Sequence, residues 1–302
     1  MKKDDHSLDL STQKEISKHA DLLLRKAGAL GKFPTPVDDI ANAAGLELSR
    51  EAILDKAFIG DFYRSLPNFL KLAPDKLKRA AGKIMGVLDK GGKKIYIDQN
   101  VYPKKQSFLT LHEVGHDFLP WQRKTFTLME DSEFELDSET QDMFEREANC
   151  FSSDVIFQNN SFTKEVADYE FSIWTPIKAG RKYGASIYAT IRRYVATRGF
   201  PCLVVVMEPK KNGRVAVRRI VPSPEYVEKF ENQFVGSEYG SGEFLYDNLP
   251  YNKYSQSDLL TLEDLNGDQW ATTVECFNST KNFFYLIRPT RKRSTTVGGL
   301  IW

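Results

Sequence analysis

Histidine is scarce in this chain, four in 302 residues, so an imidazole metal site has very few positions to draw on. Cysteine is scarcer still. Cys150, Cys202 and Cys276 are odd in number and widely spaced, with no CxxC pair, which argues against a disulfide framework and against a cysteine-built zinc site. Buried free thiols are the expectation. Neither sign of charge is in excess: 42 Lys and Arg against 41 Asp and Glu leave a formal net charge of +1, so no global field draws the chain toward nucleic acid or an anionic membrane. No apolar run approaches a membrane span, and "MKKDDHSLDLSTQKE" carries two lysines with no apolar stretch behind them. A cytoplasmic protein with no membrane partner is expected. Internal repeats and low-complexity tracts are also lacking, and 41% hydrophobic with 27% charged residues is an ordinary folded composition, long enough for two modest domains.

The remaining pattern is helical first and strand-rich later. A first helix is expected from Thr12, with Glu15 completing a capping box, and Ile16, Ala20, Leu23 and Leu24 at helical spacing up to Gly28. A short second helix follows, capped by Thr35, with Pro36 at its first position and Gly45 past its end. "LELS" and "AFIGDFYR" read as strand pieces, and "KIMGVLDKGGKKIYIDQN" as a hairpin. A helix from about Lys105 to Phe118, stopped by Pro120, is followed by an acidic tract and a second long helix through "TQDMFEREANCFSSDVIF". Further helices through "FTKEVADYEF" and "PIKAGRKYGASIYATIRRYVATRG" make a helix-turn-helix-like region over about 160–198, with Gly184 and Ser186 in the connection. After Pro201 come strands around an Asn212-Gly213 turn, a helix through "SPEYVEKFENQF", and the strands "QWATTVECF" and "NFFYLIRP". The expected fold class is α+β: a mainly helical domain with a small sheet over 1–199, then a mixed α/β domain over 200–302.

Chemistry concentrates in "LTLHEVGHDF", residues 109–118. Histidines at i and i+4 of a helix project the same way, so His112 and His116 can reach one Zn²⁺ together. Glu113, between them, is placed to accept a proton from a water that the zinc acidifies. A catalytic zinc needs a third protein ligand and an open fourth position. The only other histidines are His6 and His19, and a continuation to HExxHxxGxxH fails at Leu119 and Gln122. A carboxylate from the next long helix is therefore expected. Glu145 flanks the apolar stripe of Ala148 and Phe151 and should face the core side, whereas Glu147, about 200° further round, should face solvent. One zinc per chain on His112, His116 and Glu145 is the prediction.

Taken together, "KIYIDQN…QSFLTLHEVGH" and the downstream "FEREANCFSSDVIF" resemble the ImmA/IrrE metallopeptidases, whose pattern runs from a strand through F-T-L-A-H-E-x-x-H to E-x-x-A-N/D-x-F-A. The resemblance spans roughly residues 12 to 198. It implies a zincin-like metallopeptidase domain with His112, His116 and Glu145 as ligands, Glu113 as general base, and Asn149 beside the site. It implies a site-specific cytoplasmic endopeptidase cutting a transcriptional regulator, such as a helix-turn-helix repressor, in a stress or mobile-element response. For the 200–302 region it implies a GAF-like sensor. Leu111 stands where the family has alanine, and "FSSDVIF" replaces F-A-x-x-L-L-M-P; neither change removes a ligand or the base. The competing expectation is a regulator that contacts DNA or a partner through the basic 178–198 stretch, which holds Lys178, Arg181, Lys182, Arg192, Arg193 and Arg198, with the zinc as a brace. "DLNGDQWATTVE" has calcium-loop spacing, but Gln269 where glycine makes the turn argues against calcium.

Overall fold

The computed structural model describes residues 8–51, 86–89, 92–130, 137–231, 234 and 238–292. Predicted "AFIGDFYR" lies outside them. The chain divides into two compact units, one of residues 5–165 with 179–186, the other of 166–178 with 187–302. Helices dominate the first and strands the second, the α+β class expected from the sequence. Among the described residues, no helix is long and apolar enough to cross a membrane.

The first unit begins with α1 (Leu10–Lys26). Its cap is Asp9, whose carboxylate accepts from the Thr12 N–H at 2.8 Å, so the helix starts two residues before the predicted Thr12 cap. Both are good capping types; Asp9 wins because its anion also meets the positive helix end. Ile16, Ala20, Leu23 and Leu24 are fully buried. In α2 (Val37–Ala43) the cap position is Pro36, and Thr35, predicted as the cap, is buried and donates instead to the Ile156 carbonyl at 2.8 Å. β1 (Glu47–Glu51), β2 (Gly86–Asp89) and β3 (Lys94–Asp98) form a sheet of order β1-β3-β2, parallel between β1 and β3 and antiparallel across the predicted hairpin.

Three helices then build the site. α3 (Pro103–Phe118) opens on a proline, which pre-sets φ and has no N–H to leave unsatisfied. Leu119 is extended, and Pro120, predicted only as a stop, opens a helix of its own, α4 (Pro120–Glu130). α5 (Ser138–Ile156) is capped by Asp137, which accepts from the Glu139 and Thr140 N–H groups. The α3–α5 crossing is close because Gly115 has no side chain: a Cβ there would lie 3.2 Å from Phe151 Cδ1 and 3.3 Å from Ala148 Cα. α6 (Ser161–Ala167) closes this part.

α7 (Trp174–Tyr183) and α8 (Ile187–Ala196) are joined through Gly184, whose φ of 72° suits glycine. The second unit is built on β4 (Leu203–Pro209), β5 (Val215–Pro222), β6 (Glu238–Tyr239), β7 (Tyr254–Ser257), β8 (Thr261–Glu263), β9 (Gln269–Asn278) and β10 (Phe283–Lys292). The antiparallel sheet runs β6-β5-β4-β10-β9-β7, with β8 on β9. One face buries Leu203, Val205, Met207, Val274 and Tyr285 with Tyr226 and Phe230 of the α9 region (Pro224–Lys229). A further turn of helix, α10 (Phe244–Asp247), lies before β7. The loop with calcium-like spacing is a strand connection: Asp264 accepts from the Asn266 and Asp268 N–H groups and from the Trp270 indole.

All three thiols are free, Cys202 and Cys276 buried and Cys150 half-buried. Burial pushes both Cys202 and Cys276 up to about 12, leaving a thiolate fraction on the order of one in ten thousand at pH 8. Native protein treated with a chromogenic disulfide at that pH should therefore leave both unreacted, and all three should titrate in denaturant.

Candidate metal centre

The site is assembled from one face of α3 and one turn of α5. His112 and His116, one turn apart, place their Nε2 atoms 3.1 Å from each other. Across the crossing, Glu145 Oε2 lies 3.2 Å from His112 Nε2 and Oε1 lies 3.5 Å from His116 Nε2. One donor atom from each of the three falls within 4.8 Å of the others. The group could hold a metal ion. Two nitrogens on a tetrahedral zinc would stand about 3.3 Å apart given Zn–N bonds of ~2.05 Å, so the observed separation needs little adjustment.

Hydrogen bonding on the far side of each ring says why a cation suits this group. Gln122 donates its amide N–H₂ to the Glu147 carboxylate at 2.6 Å and to the Phe144 carbonyl at 3.1 Å, both pure acceptors. That fixes the amide, so its Oε1, 2.8 Å from His116 Nδ1, must accept from that nitrogen. His112 Nδ1 stands 3.1 Å from Asn149 Oδ1, an amide oxygen that can accept from it. Neutral rings protonated at Nδ1 present lone pairs at Nε2. Two lone pairs and a carboxylate then face one another, an arrangement that a proton or a cation resolves. A proton does so in part: burial opposes it, but the Glu145 hydrogen bond, with the charges of Glu113 and Glu145 and the Asn149 contact, raises the His112 pKa. The two histidines hold the Glu145 carboxyl well below the usual range.

The surroundings are asymmetric. Both histidines are 9% exposed, whereas the Glu145 side chain is 60% exposed, so the cluster is walled on the protein side and open beside Glu145. Glu113 follows His112 on the helix and is half-buried, near enough for its charge to act on His112.

Glu147 corrects an expectation. Predicted to face solvent, it is 4% exposed and accepts from the Trp121 indole at 2.7 Å and from Gln122. Both partners come from α4, a helix not foreseen when Pro120 was read only as a stop; it covers the flank of α5 that a two-helix picture leaves in water. Gln122 was likewise outside the predicted site, and no spacing rule ties it to the motif. A metal-ligating histidine whose second nitrogen loses its partner typically binds metal 10- to 100-fold more weakly. Gln122→Ala should show roughly that loss in a competition titration against a chromogenic chelator.

Of the basic residues between 178 and 198, two have evident structural work. Lys182 pairs with Glu165 at 2.8 Å, and Arg198 lies 3.9 Å over the Tyr194 ring while donating to its carbonyl.

No protein-family model matches the chain, and no curated protein matches it. Among solved structures, a chain described as a Mycobacterium tuberculosis transcriptional regulator is similar at a TM-score of 0.49 and 11% identity, covering 90% of this chain and 86% of that one. A likeness of that size carries no functional argument.

Proposed function

We propose that this protein is a zinc-dependent endopeptidase of the ImmA/IrrE type, acting on a protein regulator. The observation that supports it is the cluster of His112, His116 and Glu145 with one open side. Structural zinc is normally closed by four protein ligands, whereas catalytic zinc keeps three and an exchangeable position. Among the described residues, the group holds no fourth His, Cys or acidic side chain. That favours catalysis over the alternative of a DNA- or partner-binding regulator braced by metal.

Zinc in this donor set would supply a Lewis acid and lower the pKa of water toward neutrality. The rest falls to the chain. Glu113 takes the proton from the attacking water and returns it to the leaving amine, each transfer within reach of one carboxylate. Gln122 and Asn149 keep both imidazoles in the tautomer that offers Nε2 inward. The exposed flank beside Glu145 gives an extended peptide its approach. A helix-turn-helix repressor as substrate, and a sensory role for the C-terminal unit, follow from the sequence resemblance.

The test is a survey of new protein N-termini in cells expressing the wild type or Glu113→Gln. Cleavage at a few sites, absent with the variant, supports the proposal. An identical set of N-termini in both would overturn it.

A further inference from the structure

The C-terminal unit carries a polar cavity, of about 360 Å³, on the sheet face opposite the Tyr285 core. Alternation along the strands sets its walls. Leu286 of β10, Glu275 of β9 and Gln256 of β7 lie side by side in register, and Arg288 lies beside Thr273 in the next row. Glu275 and Arg288 are thus diagonal neighbours of opposite charge on one face, within reach of long side chains. Yet no ion pair joins them.

Each is held by other partners. Glu275, 7% exposed, receives its hydrogen bonds on one oxygen: Oε2 accepts from Ser172 Oγ at 2.8 Å and the Ile173 N–H at 3.1 Å, with the Tyr254 hydroxyl 3.3 Å away. The other oxygen, Oε1, accepts from no described residue. The Arg288 guanidinium lies over Phe200 and Phe171, 4.6 and 5.3 Å from the ring centroids. The two rings stand at 74° to each other and offer the guanidinium's five N–H donors no oxygen or nitrogen acceptor. None of them meets an acceptor among the described residues.

The cavity therefore offers a buried acceptor and an exposed fork of donors, kept apart. A lone anion at Arg288 would be opposed by Glu275, and a lone cation at Glu275 by Arg288. A small molecule carrying both charges satisfies both. The volume is at the lower end of the range for small-ligand sites. We propose that this cavity binds a free α-amino acid as its zwitterion, with the ammonium group on Glu275 and the carboxylate on Arg288.

Binding here does not depend on the metal centre, so zinc content serves as a separate readout. The full chain would be screened by thermal shift and calorimetry against the proteinogenic L-amino acids, with acetate, inorganic phosphate and methylammonium as single-charge probes. One amino acid, or a chemically related few, should raise the melting temperature, and the single-charge probes should not. Arg288→Gln, at an exposed side chain, should weaken that binding about 10- to 100-fold, the usual loss of a charge-assisted hydrogen bond, with zinc content unchanged. Glu275→Gln should do the same if it folds. Lack of binding by every amino acid, equal binding by Arg288→Gln, or equal binding of acetate or phosphate would overturn the proposal.

Discussion

Alanine at His116 or at Glu145 should empty the metal site while leaving the fold in place. Structural zinc in zinc-finger peptides contributes about 10–16 kcal/mol; if three ligands here shared an energy of that order, losing one would cost about 4 kcal/mol, or roughly 10³-fold in affinity. Elemental mass spectrometry of purified protein should then find near one zinc per chain in the wild type and almost none in either variant. Glu145 is the sharper test, because its side chain is largely exposed and its loss leaves no cavity. A wild type that neither holds nor takes up zinc would refute the site and favour the binding-module reading. Acidity should act through the same atoms. The His112 pKa is raised, so protons compete for Nε2 at higher pH than at an ordinary histidine, and zinc affinity should fall earlier on acidification. In the metal-free protein the sign reverses. The raised pKa contributes stability below the unfolded histidine value, and that contribution is lost as pH rises through the folded one.

Glu113→Gln should separate chemistry from binding. The substitution keeps the side chain's size but replaces the carboxylate base with an amide, and general-base catalysis is typically worth 10²–10⁴-fold. Cleavage of an identified substrate should therefore drop by about that factor, with zinc content and melting temperature near wild type. Loss of zinc in this variant would instead place Glu113 among the ligands. Retained cleavage would assign the base elsewhere.

The two-histidine face of α3 was legible because it rests on a single helix period, which sequence states directly; Glu145, chosen for facing the core side, does meet the histidines but from an exposed position, its side chain 60% exposed, while Glu147 is the buried one. The β2–β3 hairpin was legible for a similar reason, its turn and alternating apolar residues being local. What failed was each feature set by a third element. Glu147 looks solvent-facing until α4 lies over it, and α4 is hidden by Pro120, a residue equally suited to ending one helix and beginning another. Gln122 could be identified as the partner of His116 only once that helix was in place. Cap assignments erred by one position at α2 and by three at α1, where Asp9, Ser11 and Thr12 compete for the same N–H groups.

The residue between Val114 and His116 bears on more than packing. Gly115 lets α5 come within contact of the α3 backbone at Ala148, and Glu145 sits one turn before that point on the same helix. The reach from carboxylate to imidazoles is thus gauged by a position that touches no ion. A methyl group there would press on the Phe151 ring and the Ala148 backbone by a few tenths of an ångström, so Gly115→Ala should change zinc affinity with every ligand still present, as a chelator competition would read.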